Sequence, residues 1–552
     1  MSERQQCGHF RSGRQAVTRV ACAARLPVAV VYAAFAAILL LGLSAQADEI
    51  EPEPEPEPEA AVESTPEPAP KAAPKPAPQA ASEADGFRLT PEIGWSSGDH
   101  NFEIHLNSRF RWERWQALRN GGDNIFAFRN RVSADYTWKN RLRLFAEGQH
   151  ATVFDLDGAP NGAAGAYRGN AHNPPSSSVD SFRLRQLFGE ARLDSDNWLR
   201  VGRQDMKNAS AISYEEGNWK YLKNKRLSQR LVGGVGWTHG ERSYDGVSAR
   251  MEQSGHVVHL YAAEPTTGVF EIDRGYKRNK DIIFGGLDWT VERGTWFDNT
   301  ELGAFFVGFS DDRKVSDMTA PPPPSGGFFG EIEVYTFGFS SLGVYPVGPG
   351  NLDLIIWGAM QIGQYFDMTE FSGVRRLDQV AGAGIVEAGY QLPDVWAKPW
   401  LRTGVNFASG DSNQDDGNHN TFFNIMPTNH LYYGYADQLA FANLIDLFVQ
   451  LKLSPIPKLG VELVFHQFWL YTQRDSRYFG SGAFAKRSLG YGKSASNGAN
   501  NVGQEIDFVL NYQVNKHLGL MAGVAHLFGG KVMSSFPDSD ANWAFFQVAL
   551  SY

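Results

Sequence analysis

The sequence predicts an all-β protein, a transmembrane antiparallel β-barrel of about eighteen strands behind a Pro-rich, disordered N-terminal segment. Three observations lead there. Apolar and polar residues alternate in segments from about Phe87 to the C-terminus, the two-residue period of a strand rather than the 3.6 of a helix. Short connections between these segments alternate with long polar ones. The chain also ends on Trp543-Ala544-Phe545-Phe546-Gln547-Val548-Ala549-Leu550-Ser551-Tyr552. Phe546, Val548, Leu550 and Tyr552 share one face of that strand, and Phe545, Gln547, Ala549 and Ser551 the other. Such a wall suits lipid on one side and water on the other.

At the N-terminus, Arg4, Arg11, Arg14, Arg19 and Arg25 precede an apolar run from Leu26 to Leu43 and then Ala45-Gln46-Ala47. A basic start, a short apolar core and an A-x-A site make residues 1–47 a secretory signal. Cys7 and Cys22, the chain's 2 cysteines, both lie inside it, so the exported chain holds no disulfide and relies on its hydrogen-bond ladder. Cleavage removes five Arg and one Glu and moves the formal charge from −10 to −14. An acidic chain of this kind is no nucleic-acid binder. No later segment offers the ~18 uninterrupted apolar residues of a membrane helix. Residues 48–86, Glu-Pro and then Ala-Pro-Lys repeats, cannot bury a core and read as an extended periplasmic linker. The barrel occupies residues 87–552.

The first strand sets Phe102, Ile104, Leu106, Phe110 and Trp112 against Glu103, His105, Asn107, Arg109, Arg111 and Glu113. The second sets Phe126, Phe128, Val132, Ala134, Tyr136 and Trp138 against Arg129, Arg131, Ser133 and Asp135. Further strands are expected near residues 141, 181, 198, 241, 256, 281, 300, 331, 350, 379, 398, 438, 458, 501, 517 and 541. An even number closes a barrel with both termini in the periplasm. Lys139-Asn140, Asp194 to Asn197, Ser254-Gly255, Ser454 to Pro457 and Asn515-Lys516 are the short turns. Phe154 to Asp180, Asp205 to Gly240, Asp311 to Gly330, Asp411 to Asp437 and Gln473 to Asn500 are long loops expected outside. Pro321 to Pro324 falls in such a loop, where it removes no ladder hydrogen bond. Trp112, Trp115, Trp138, Tyr365, Trp396, Trp400 and Trp469 read either as interfacial girdles or as ordinary packing.

Guanidinium on the lipid face would cost several kcal/mol near the midplane, so Arg109, Arg111, Arg129, Arg131, Arg143, Arg183 and Arg185 are placed in the lumen. They have two readings. One is a brace, with Glu103, Glu113, Asp135, Glu147 and Glu190 as partners; the other is a constriction that attracts anions through bidentate forks. No hydrolase elbow or metal-binding helix motif appears, and no cofactor is implied. His430 and His466 fit a membrane hydrolase only if a serine joins them; otherwise they are loop or lumen residues. Asp411, Asn413, Asp415 and Asp416 form a weak fragment of a calcium loop, with the glycine displaced to Gly417 and no acidic twelfth position; the plain alternative is a solvated loop.

The stretch Ile425-Met426-Pro427-Thr428-Asn429-His430-Leu431-Tyr432-Tyr433-Gly434-Tyr435-Ala436-Asp437-Gln438 resembles the alginate export family of outer-membrane barrels. Gly202-Arg203-Gln204, Arg242-Ser243-Tyr244-Asp245-Gly246-Val247, His466-Gln467-Phe468 and Gly503-Gln504-Glu505-Ile506-Asp507 support it. The resemblance covers most of residues 87–552. It implies a monomeric outer-membrane porin, not an enzyme, that passes an anionic polysaccharide or oligosaccharide by diffusion, and it adds Arg203 to the pore-lining set. The implied partners are outer-membrane lipid, the barrel-assembly machinery acting on the C-terminal strand, and a periplasmic export partner. Two features depart from the pattern: the Pro-rich linker, and the turn at Asn515-Lys516, which leaves no room for a long periplasmic gate. A general sugar or small-anion porin of the same fold is the alternative function.

Overall fold

The structure is a computed structural model. The structure describes residues 93–117, 123–154, 178–267, 280–313, 331–367, 375–480, 491–536 and 539–552, with Val269, Ile272 and Arg278 between them. The signal peptide, the linker and the Pro321 to Pro324 run lie outside the described residues.

Alternation produces strands, and the strands close on themselves. The barrel runs β1 (His100–Ala117), β2 (Asp123–Trp138), β3 (Leu142–Phe154), β4 (Val179–Arg192), β5 (Trp198–Gln204), β6 (Tyr244–Gln253), β7 (His256–Pro265), β8 (Ile282–Val291) and β9 (Thr300–Asp311). It continues with β10 (Ile332–Val347), β11 (Gly350–Asp367), β12 (Arg375–Gln391), β13 (Trp400–Ala408), β14 (Leu444–Ile456), β15 (Leu459–Trp469), β16 (Asn501–Asn515), β17 (Leu518–Gly529) and β18 (Ala541–Ser551). Each strand pairs antiparallel with its sequence neighbours, and β18 returns to β1, so eighteen strands close. Two short strands, Gly94–Ser97 and Asn418–His419, add to this sheet.

Turn chemistry follows from the short connections. Lys139 and Asn140 both take positive φ (50° and 52°) and Arg141 N–H bonds Trp138 O at 2.9 Å; Ser254 and Gly255 do the same (51° and 77°). These are the two-residue turns whose twist matches the flanking strands. At Gly255 a Cβ would stand 2.0 Å from Thr295 Oγ1, so the adjacent turn demands glycine as well.

Several boundaries move. The strand expected near residue 438 begins at Leu444, because Gln438 to Asn443 belong to a loop. β14 runs on through a bulge to Ile456, leaving Pro457-Lys458 as the turn. At the seam, Leu106 N–H bonds Tyr552 O (2.6 Å) and Tyr552 N–H bonds Leu106 O (2.7 Å). Above that point Ser108, Phe110 and Trp112 face Leu550, Val548 and Phe546. The apolar face of the closing strand is expected to meet Phe102, Ile104 and Leu106 of the first; only Leu106 does so, whereas Phe102 pairs with Trp95 of the lead-in strand and Ile104 N–H bonds Ile93 O at 2.9 Å. Strand tilt in a closed barrel staggers the register in this way.

The largest correction concerns two of the long loops. Residues 205–243 and 409–443, which contain the stretches Asp205 to Gly240 and Asp411 to Asp437 expected outside, fold into the barrel. The first, loop A, carries helix α1 (Gly217–Leu222) and a π turn at Lys223–Leu227; the second is loop B. They meet in the lumen by a parallel bridge between Val232 and Met426, with Met426 N–H to Leu231 O (2.7 Å) and Gly233 N–H to Met426 O (2.8 Å). The apolar core is built here, from Leu227, Leu231, Val232, Ile425, Met426, Tyr432 and Tyr433 against Trp357, Tyr244 and Phe441.

Candidate functional site

Inward and outward positions on β1 to β4 follow the expected parity. Arg109, Arg111, Arg129, Arg131, Arg143, Arg183 and Arg185 are all buried on the lumen side. Around Arg185 the register shifts between Glu147 and Gly148, and this bulge turns both Arg185 and Gln186 inward.

Six of these arginines converge on one end of loop A. Arg109 donates from Nη1 to Gly236 O (3.0 Å) and from Nη2 to the carbonyls of Trp237 (3.1 Å) and Thr238 (2.7 Å). Arg111 donates to Trp237 O (2.7 Å), stacks on its indole (3.8 Å), and pairs with Glu113 at 2.6 Å. Arg183 donates to Glu241 O at 2.7 Å. The Glu241 carboxylate takes Arg131, Arg185 (2.8 Å) and Arg129 (3.6 Å). Arg185 also holds Glu147 at 2.6 Å and Asp205 at 2.7 Å. Arg143 stands apart, in a forked pair with Asp135 (2.9 and 2.6 Å). Burial alone would push the Glu241 carboxyl up; Arg131, Arg185 and Arg129 outweigh it and hold the group well below the ordinary carboxylate range. Burial, together with Arg109, Arg111, Arg129 and Arg131, holds His239 well below its usual value, so it is neutral at pH 7.

A second hub fastens the lower part of loop A. Glu387 on β12 accepts Arg226 (2.7 Å), Arg230 (2.9 Å) and Arg402 (3.0 Å), and Arg402 also reaches Asp353 at 3.0 Å. Lys223 pairs with Glu301. Loop B is held by hydrogen bonds to the wall: Gln361 Nε2 to Phe423 O (2.7 Å), Gln379 Nε2 to Thr421 O (2.9 Å) and Ala436 N–H to Glu505 Oε1 (2.8 Å). Gly434 sits at φ +81°, and a Cβ there would lie 2.4 Å from Glu505 Oε1. His430 stacks on Trp237 at 4.2 Å and bonds Asp437 at 2.8 Å. His466 bonds Asp446 at 2.9 Å.

Arg203 is a correction. Cross-strand pairing puts it opposite Asp245, on the face opposite Gln204 and Tyr244, which are buried in the lumen. It forms a forked pair with Asp245 (2.6 and 2.7 Å) on the outside of the wall. The aromatic set divides by the same rule: Trp115, Tyr365 and Trp400 are buried inside, whereas Trp138 and Trp396 are exposed. In the calcium-loop fragment the Asp411 carboxylate accepts Asn413 N–H at 3.0 Å and that of Asp416 accepts Asn418 N–H at 2.9 Å. No group of three metal-ligating side chains occurs among the described residues. Glu241 and Glu387, which organise the site, escape sequence reading because neither shows its role in strand periodicity. The one available signal is that Glu241 adjoins the Arg242 to Val247 piece.

The sequence profile described as alginate export matches residues 99–547. No curated protein matches the chain. Among solved structures, OccAB2 of Acinetobacter baumannii is similar at 13% identity and a TM-score of 0.52, covering 82% of this chain and 98% of that one. OccAB4 of the same organism is similar at 8% identity and a TM-score of 0.51, covering 84% and 99%. OpdK of Pseudomonas aeruginosa, determined with vanillate, is similar at 11% identity and a TM-score of 0.50, covering 81% and 98%. At these identities the likeness is one of fold.

Proposed function

Because the chain belongs to the alginate export family, which it matches from residue 99 to residue 547, we propose that it passes an alginate-like anionic polysaccharide along the arginine side of its lumen. The fold is that of an outer-membrane transport channel. One observation carries the finer reading. The guanidinium groups of Arg109, Arg111, Arg129, Arg131, Arg183 and Arg185 outnumber the carboxylates of Glu113, Glu147, Asp205 and Glu241 around them, and the balance is met by the backbone carbonyls of loop A. Loop A is thus an internal stand-in for an anionic chain. A polymer carrying repeated carboxylates offers the same acceptors. Partners can then be exchanged one for one, without stranding a buried cation. A succession of such sites attracts the chain without trapping it.

The test is single-channel recording on the full chain. Wild type should prefer anions and be interrupted by oligouronates. Replacing Arg109, Arg111, Arg129 and Arg131 with Gln should abolish both effects. Unchanged anion preference in that variant would remove the arginine track.

A second reading, a channel for a small organic anion, is favoured by the two loops that cross the lumen and by the presence of vanillate in one similar structure. Deletion strains separate the two. Loss of exported polymer with small-solute flux retained supports the first reading, and the reverse supports the second.

A further inference from the structure

We propose that the outer end of the seam β16, β17, β18 and β1 binds a phosphate-bearing, multiply acylated lipid of the outer leaflet, its acyl chain in a furrow over Ala544 and its phosphate beside Arg114. The inference rests on the barrel standing in an outer membrane and is independent of what passes through the lumen.

Register builds the furrow. On the lipid face one cross-strand row reads Arg114, Ala544, Val524, Phe508. The row nearer the outer rim reads Gln116, Asn542, His526, Ile506, and the row nearer the midplane reads Trp112, Phe546, Ala522, Leu510. Ala544 is therefore a methyl group set between a tryptophan and phenylalanines, and the outside of the wall is hollowed there by about 410 Å³. Ile506, Phe508, Val524 and Phe528 line the apolar part, and Arg114, Gln116, His526 and Asn542 line the rim.

The headgroup chemistry comes from that rim. Arg114 has the lipid-facing parity of Trp112, is exposed, and makes no hydrogen bond or ion pair with the described residues. A cation is tolerated on this face only at headgroup level, where an anion can meet it. His526 Nδ1 bonds Asn542 Oδ1 at 2.6 Å, which fixes the ring at the same edge. Gln504 donates to Gln467 at 2.8 Å on the neighbouring strands and extends the polar belt. The hydrogen-bonding row of Gln116, Asn542 and His526 lies nearer the rim, and Arg114 stands one row further in, level with the apolar furrow over Ala544 and Val524, so the cation meets a phosphate held at the junction of the polar headgroup and the acyl chains.

Native mass spectrometry on the full chain in mild detergent tests this, with a hexa-acylated bis-phosphorylated disaccharide lipid and its dephosphorylated form as probes. Wild type should retain the phosphorylated lipid about fivefold better, the effect of one basic group at an anionic surface. Arg114→Gln should level the two. Ala544→Trp and Val524→Trp, which fill the furrow from adjacent strands, should lose both adducts while the barrel stays heat-modifiable. Equal retention of the two lipids by wild type, adducts surviving in a heat-modifiable furrow variant, or displacement of the lipid by millimolar inorganic phosphate would each overturn the proposal.

Discussion

Glu241 brings one carboxylate into contact with Arg129, Arg131 and Arg185, and the fastening of loop A depends on it. Removing one partner of a buried ion pair costs about 3–5 kcal/mol because the remaining charge stays buried. Glu241→Gln should therefore release the upper part of loop A, seen as a larger and noisier single-channel conductance with the barrel intact. The sign of the pH dependence follows from the depressed Glu241 value. The anchoring is fully present above the free carboxyl value of ~4.3 and is lost only as pH falls through the much lower folded value. Wild-type conductance should thus be unchanged between about pH 7 and pH 4.5, while the variant is open throughout; loosening of wild type near pH 5 would count against this. Gly434→Ala tests loop B in the same way. Positive φ and the 2.4 Å approach to Glu505 make it cost about 1–3 kcal/mol, read as faster proteolysis within residues 425–438. At this scale the arginines were legible because charge and parity are local properties. Glu241 was not, since a glutamate in a polar loop looks solvated until its partners are known.

Strands and turns were the most legible elements. Seventeen of the expected starts lie within a few residues of those observed, because alternation and turn residues act over two to four positions. β14 is the exception: it starts at Leu444 because Gln438 to Asn443 serve loop B. The closing strand was recognised, and so was the first strand as its partner, but their register lies further along the first strand, from Leu106 to Ala117. Tyr552 exchanges both backbone bonds with Leu106 (2.6 and 2.7 Å) and stacks on His517 at 4.8 Å. Deleting Tyr552 removes the last rung of the seam and should lower the yield of heat-modifiable, membrane-inserted barrel. Normal yield would show that the remaining rungs suffice.

Across the whole molecule, loops A and B act as one body in the lumen, joined at Val232 and Met426. A cross-link there tests whether they separate during transport. Neighbouring Cα atoms of a parallel bridge fall inside the ~4.4–6.8 Å window of a disulfide, so Val232→Cys with Met426→Cys should, once oxidised, block passage of oligouronates and leave small-ion current in place. Reduction should restore passage; unimpeded polymer passage in the oxidised form would mean the loops do not part. The sequence by itself determined the barrel, its strands, the alternation of short and long connections and the common face on which the arginines of each early strand lie. These depend on a two-residue period and on the cost of charge in lipid, both readable along the chain. Only the tertiary structure decided that loops A and B turn inward, that Arg203 lies outside with Asp245, that Trp115, Tyr365 and Trp400 are core, and that β18 meets β1 from Leu106 upward. Each depends on which distant wall a segment meets once the barrel closes, and register and loop direction are set by that closure rather than by neighbours in sequence.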